Sequence, residues 1–101
     1  MTMYEISYIY LEDCFHDTGY FFSSEEWEAF QKDCAEAENP VKIAHIEALT
    51  PEEFWEKAQK EGLDYAYAVE LMANAVMGQE WASQYDKWRD QEKALKELGI
   101  I

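Results

Sequence analysis

Basic side chains are scarce in this chain: 8 lysines and arginines stand against 22 aspartates and glutamates in 101 residues, a formal net charge of −14. Direct binding to nucleic acid or to an anionic membrane surface is disfavoured, because both need basic patches that displace counterions. Histidine and cysteine are limited to two each. Cys14, His16, Cys34 and His45 lack the paired Cys-x-x-Cys and His-x-x-x-His type of spacing that marks a zinc site, so no metal is expected. Four glycines leave no glycine-rich phosphate loop. No apolar run approaches the roughly 18 residues of a membrane span. The stretch Met1-Thr2-Met3-Tyr4-Glu5 has neither a basic segment nor a long apolar one, so no export signal is read there. The two cysteines are then expected as free thiols in a cytoplasmic protein.

The nucleophiles fare no better than the metal ligands. Cys34 falls on an apolar helix stripe, where burial raises a thiol pKa, and Cys14 sits among acids that oppose a thiolate. Glu12, Asp13 and Asp17 are dense enough to form a carboxylate pair, but acid-rich loops are more often simply solvated. No enzyme and no cofactor are expected.

What the chain does have is apolar bulk: 49% hydrophobic and 16% aromatic residues, ample for a folded protein despite the charge. A single domain over residues 1–101 is expected, burying about two-thirds of its unfolded surface. Tyr4 to Leu11 alternates β-branched and aromatic residues with bulk on both faces, which predicts a central strand. Turn formers from Glu12 to Gly19 and the aromatic run Tyr20-Phe21-Phe22 complete a hairpin with an acidic tip. A helix begins at Ser23, with Ser23 and Glu26 at capping-box spacing, and ends before Asn39-Pro40. Val41 to Leu49 is a third strand. Thr50-Pro51-Glu52-Glu53 is a strong helix start, with Gly62 as its stop. Asp64 caps a third helix running to about Met77, with a stripe of Tyr65, Val69, Met72 and Val76. Gly78 breaks it from a last helix over about Gln79 to Leu98, with Trp81, Tyr85, Trp88 and Leu95 on one stripe. The class is α+β, with order ββαβααα: a small antiparallel sheet of three strands packed with four helices.

The acids are unevenly spread. Residues 1–50 hold eleven acids and two bases, net −9, and residues 51–101 hold eleven and six, net −5. On a helix advancing ~100° per residue, Trp27, Phe30, Cys34 and Ala37 form an apolar stripe. Glu25, Glu26, Glu28, Asp33 and Glu36 occupy an arc of about 160° opposite it, with Lys32 the one base among them. From Ser23 to Glu38 the net charge is about one per 5 Å of helix, close to the one per ~3.4 Å of a single DNA strand. A plainer reading is a solvated helix face, as most charge runs are.

In length, charge, lack of an export signal and lack of catalytic residues, the chain resembles the small acidic inhibitors of phages and mobile elements. These are anti-CRISPR and anti-restriction proteins, some of which mimic nucleic acid. It is also similar to acidic immunity proteins that neutralise basic nuclease toxins. The likeness implies a stoichiometric inhibitor of a basic nucleic-acid-binding protein, such as a nuclease or a CRISPR or restriction subunit, acting in a bacterial host cell. The residues expected to face that partner are Glu25, Glu26, Glu28, Asp33 and Glu36, supported by Glu12, Asp13 and Asp17 of the hairpin. The alternative is an assembly protein with a merely solvated acidic face and an aromatic patch, Trp81, Tyr85 and Trp88, that makes a homo-oligomer.

Overall fold

A computed structural model describes residues 3–101; Met1 and Thr2, part of the stretch read for an export signal, lie outside them. The described residues group into two compact units, residues 3–49 and 50–101, and each is described by itself.

The first unit is an antiparallel sheet of three strands in the order β2-β1-β3, with one helix against a face: β1 (Met3–Tyr10), β2 (His16–Phe21), α1 (Ser24–Glu36) and β3 (Val41–Leu49). The expected central strand is central. Its face carrying Tyr4, Ile6, Tyr8 and Tyr10 receives α1: Ile6, Tyr8 and Trp27 are buried together, and Phe21, Phe30 and Val41 pack around them. The rings meet at angles rather than in parallel, with Tyr8–Phe30 centroids 5.1 Å and Phe21–Trp27 5.2 Å apart, the orientation that aromatic quadrupoles favour. The stripe expected on α1 is partly displaced. Trp27 is buried and Phe30 and Cys34 are half-buried, but Ala37 is exposed, because the helix closes at Glu36 and Ala37 is its C-cap.

Four residues expected in the hairpin turn, His16 to Gly19, lie instead in β2. Gly19 pairs with Ile6, and the Phe21 ring crosses over it: a Cβ there would come within 2.9 Å of that ring. Asp17 pairs with Tyr8 in the strand rather than standing at the tip. The tip itself is short, with Tyr10 N–H donating to the Phe15 carbonyl at 2.9 Å and Cys14 in the left-handed region at φ 59°. β3 carries a bulge, since Ser7 pairs with His45 and Tyr8 with Ile43, leaving Ala44 as the extra residue.

The second unit is helical: α2 (Pro51–Glu61), α3 (Tyr65–Met77), α4 (Gln79–Ala82) and α5 (Trp88–Glu97). Thr50 and Glu53 complete the expected capping box, each side chain accepting from the other's backbone N–H at 3.1 Å, and Gly62 ends α2 at φ 72°. Asp64 caps α3 by accepting from Tyr67 N–H. The α3 stripe points inward as expected at Val69 and Met72, with Ala68, Leu71, Ala73 and Ala75 also buried. Its ends, Tyr65 and Val76, lie beyond the core and are exposed.

The last helix is two helices, so the chain has five among the described residues rather than four. Its 3.6-residue pattern continues through Ser83–Lys87, but tertiary bonding interrupts it. Ser83 Oγ turns back to donate to the Glu80 carbonyl at 2.8 Å, and the buried Gln91 side chain donates from Nε2 to the Ala82 carbonyl at 3.0 Å. The second bond gives that carbonyl, which already accepts from Tyr85 N–H at 3.2 Å, a further donor from α5 and ties α5 to the end of α4. The single stripe of Trp81, Tyr85, Trp88 and Leu95 is thereby divided. Trp81 and Tyr85 meet at a tilt of 50° with centroids 4.7 Å apart, whereas Trp88 meets Tyr65 edge-on at 5.7 Å.

Candidate functional site

The acidic arc of α1 forms because its opposite face is pinned to the sheet by Trp27 and Phe30. Ser23 caps the helix, its Oγ accepting from Glu26 N–H at 3.2 Å. The capping box is shifted by one residue: the Glu26 carboxylate reaches Phe22 N–H at 3.2 Å instead of the N-cap's own N–H. Glu26 therefore has a structural role as well as a surface position. All five acids of the arc are exposed, and among the described residues Glu25, Glu28 and Asp33 have no ion pair or hydrogen-bonding partner. Glu36 has only the 4.0 Å contact to Lys32, both side chains largely in water, a pair worth little.

The hairpin turn connects with the chain at one end of this helix. Leu11 N–H donates to the Pro40 carbonyl at 2.9 Å, which ties the hairpin turn to the segment leaving α1. The turn that carries Glu12 and Asp13 is thus tied to the segment that follows Asp33 and Glu36 in the chain, in which Glu38 takes the left-handed region at φ 61°. Asp13 accepts from Phe15 N–H at 3.1 Å, which shapes the turn. Asp17 is on the α1 side of the sheet but is partly occupied, accepting from Thr18 N–H at 2.8 Å and over a long 3.5 Å from the Tyr8 hydroxyl. Glu52, Glu53 and Glu56, considered as an extension of the acidic surface, belong to the other unit, and Glu53 is engaged in its capping box.

The electrostatics of this helix are unfavourable to the helix itself. Glu25 and Glu26 in its first turn complement the positive end of the macrodipole, but its last turn holds no base. Asp33 and Glu36 instead add negative charge to the negative end. The last turns of α2 and α5 each hold a base, Lys60 and Lys96, next to a terminal glutamate, whereas those of α3 and α4, like that of α1, hold none.

The other chemistry-bearing groups do not converge. Cys34 faces the sheet from α1, and burial, followed by the Asp33 charge, pushes its thiol pKa up. His16 and His45 are exposed and pair with Ile9 and Ser7, on the sheet face away from α1. Among the described residues no group of three or more His, Cys, Asp or Glu side chains is placed to hold a metal ion. Burial, followed by Tyr10 and the Asp17 charge, raises the Tyr8 hydroxyl pKa well above the usual tyrosine value.

Each unit has an open apolar cleft. In the first, about 480 Å³ is lined by Tyr4, Ile6, Trp27 and Ile46, with Glu25 at its edge. In the second, about 780 Å³ is lined by Trp55, Met72, Val76 and Ile100, with Glu52 and Glu56 alongside. The periodicity of the sequence did not reveal either one, since each depends on which apolar residues are left uncovered by tertiary packing. Among the described residues no helix is long and apolar enough to cross a membrane. No protein-family model, curated protein or solved structure matches the chain.

Proposed function

We propose that this protein is a stoichiometric inhibitor that presents the acidic face of α1 to a basic, nucleic-acid-binding protein and occupies the surface that would otherwise hold a phosphate backbone. The observation that supports this most is the last turn of α1, which carries Asp33 and Glu36 with no base, together with the Leu11–Pro40 bond that ties the turn bearing Glu12 and Asp13 to the segment leaving that helix. Helix stability alone would favour lysine or arginine there, by about 0.3–1 kcal/mol per residue. The 13 residues of α1 span about 20 Å at ~1.5 Å per residue, with five acids and one lysine. Pairs such as Glu25–Glu28 and Asp33–Glu36 are set three residues apart, or roughly 5–6 Å between Cβ atoms. Rings on both sides of the helix–sheet contact fix that spacing, so little ordering entropy is lost on binding.

The test is capture from a bacterial lysate, followed by binding measurements with the captured protein. The expected catch is a nuclease, CRISPR effector or restriction subunit, bound in a way that weakens steeply with salt. Reversing Glu25, Glu26, Glu28, Asp33 and Glu36 to lysine should abolish capture. Undiminished binding by that variant, or a captured partner with no basic surface, would refute the reading.

A further inference from the structure

Among the described residues β3 is an edge strand with no strand paired on its outer side, and of its nine residues all but Val41 and Leu49 are exposed. Ile43 and Ile46 are 38% and 51% exposed. A long, bare edge with two open isoleucines is a template for strand pairing.

The bulge gives that edge an unusual phase. In a regular strand, residues three apart point to opposite faces. Here Ile43 pairs with Tyr8 and Ile46 with Ile6, so both isoleucines share the α1 face of the sheet. Lys42 pairs with Ile9 and Glu47 with Glu5, so those two charges share the other face. A regular strand laid along the outer edge would leave Ala44 unmatched and fall out of phase on one side of it.

We propose that β3 is a homodimerisation edge, on which a second copy of the chain pairs antiparallel about a two-fold axis between Ala44 and His45. In this register Ala44 meets His45 of the second copy, so the two bulges face each other and the phase change cancels. Ile43 then lies opposite Ile46 of the second copy, and Lys42 opposite its Glu47. Each contact occurs twice, as an isologous interface requires. Every pair from Val41 to Ala48 has its members on the same face.

Charge selects the same strip. β3 carries one acid and one base, whereas the rest of residues 1–50 carries ten acids and one base. Within the first unit it is therefore where two copies, each with a net charge of −14, approach with least repulsion. The product is a sheet of six strands with both α1 helices on one face. The two β1 strands lie three strand spacings apart, roughly 14 Å, and the four isoleucines line the floor between the helices. This inference does not depend on the inhibitor reading.

Sedimentation or light scattering from about 1 μM to about 1 mM, a range that covers weak to moderate association, should show two 11.9 kDa chains per particle at the upper end. Added salt should strengthen the dimer by screening the mutual repulsion, opposite to the salt response expected for a basic partner. Ile46→Asp should weaken dimerisation at least ~10-fold. Lys42→Glu alone and Glu47→Lys alone should each be monomeric, because each places like charges opposite each other. An equimolar mixture should recover the dimer, since the mixed pair is complementary at both contacts. Recovery in the mixture also shows that both variants are folded. A wild-type chain that stays monomeric, a dimer insensitive to Ile46→Asp, or a mixture that fails to associate would each overturn the proposal. A monomer that still binds a basic partner would overturn this inference alone.

Discussion

Replacing Gln91 with glutamate tests why the C-terminal helix divides. Gln91 is 7% exposed; its Nε2 donates to the Ala82 carbonyl at 3.0 Å, and its Oε1 is buried without a partner. A glutamate is nearly the same size but can donate to that carbonyl only while protonated. Ionised, it would set a carboxylate against a carbonyl oxygen in a dry contact, so the folded protein should hold the proton and raise the pKa of the new side chain. The sign follows from linkage. Below the ordinary glutamate value of about 4.3 both folded and unfolded chains carry the proton, and pH adds no penalty. Above it the unfolded chain ionises first, so stability falls by about 1.4 kcal/mol per pH unit until the folded pKa is passed. Between pH 5.5 and 7.5, Gln91→Glu should therefore lose up to about 2.7 kcal/mol relative to the native chain. Gln91→Met, which removes the donor and the unsatisfied Oε1 together, should cost no more than about 1–3 kcal/mol, with no dependence on pH. Urea unfolding followed by far-ultraviolet circular dichroism at several pH values measures both. If native and Gln91→Glu stabilities run parallel with pH, the bond to Ala82 does not hold α4 and α5 together.

Thr50→Ala removes the acceptor for Glu53 N–H and half of a complete capping box, so it should cost about 1 kcal/mol in the same urea assay. Asp33→Lys and Glu36→Lys should each stabilise α1 by about 0.3–1 kcal/mol in thermal or urea unfolding while weakening capture of a basic partner, a pairing of signs that a purely solvated face would not show. Glu53, held by Thr50 backbone and side-chain bonds, and Glu92, held mainly by the Tyr65 hydroxyl with Lys96 assisting at 3.4 Å, both have pKa values below the ordinary glutamate value. Their contributions are present above that value and disappear as pH falls through the depressed ones, which carboxylate NMR titration resolves. Tyr65→Phe should move the Glu92 pKa back toward the ordinary value and leave Glu53 unchanged.

The parts of the fold that local chemistry determines could be read in advance. Thr50, Pro51, Glu53 and Gly62 bound α2 because a cap, a fixed φ and a left-handed stop act within a few residues. Asp64 and Gly78 bound α3 in the same way. The errors fall where distant groups prevail. Gly19 resembled a turn residue, but the Phe21 ring covers it in mid-strand. Asp17 followed Gly19 into the strand and left the hairpin tip. The break after Ala82 depends on Gln91, nine residues away, although Ser83 and Asp86 are weak helix formers that hint at it. The bulge at Ala44 has no sequence signature, yet it decides which face Ile43 and Ile46 occupy. The acidic arc of α1 was legible from its spacing, but its relation to the hairpin was not, because the Leu11–Pro40 bond joins residues 29 apart.

That bond also bears on what the acids are for. Without it, Glu12 and Asp13 would be a solvated turn on a separate hairpin, and their charge would be diluted by motion and screened beyond about one Debye length, ~10 Å at 0.1 M salt. With it, the turn that carries them is tied to the segment leaving the one helix of the first unit, whose last turn already carries uncompensated negative charge. The unit's only two bases do little to relieve this: Lys32 reaches Glu36 at 4.0 Å through solvent, and Lys42 stands on the sheet face away from α1. A lysine in the last turn of α1 would favour the helix by about 0.3–1 kcal/mol. Its absence there leaves this pole negative, as the proposed contact with a cationic surface would require.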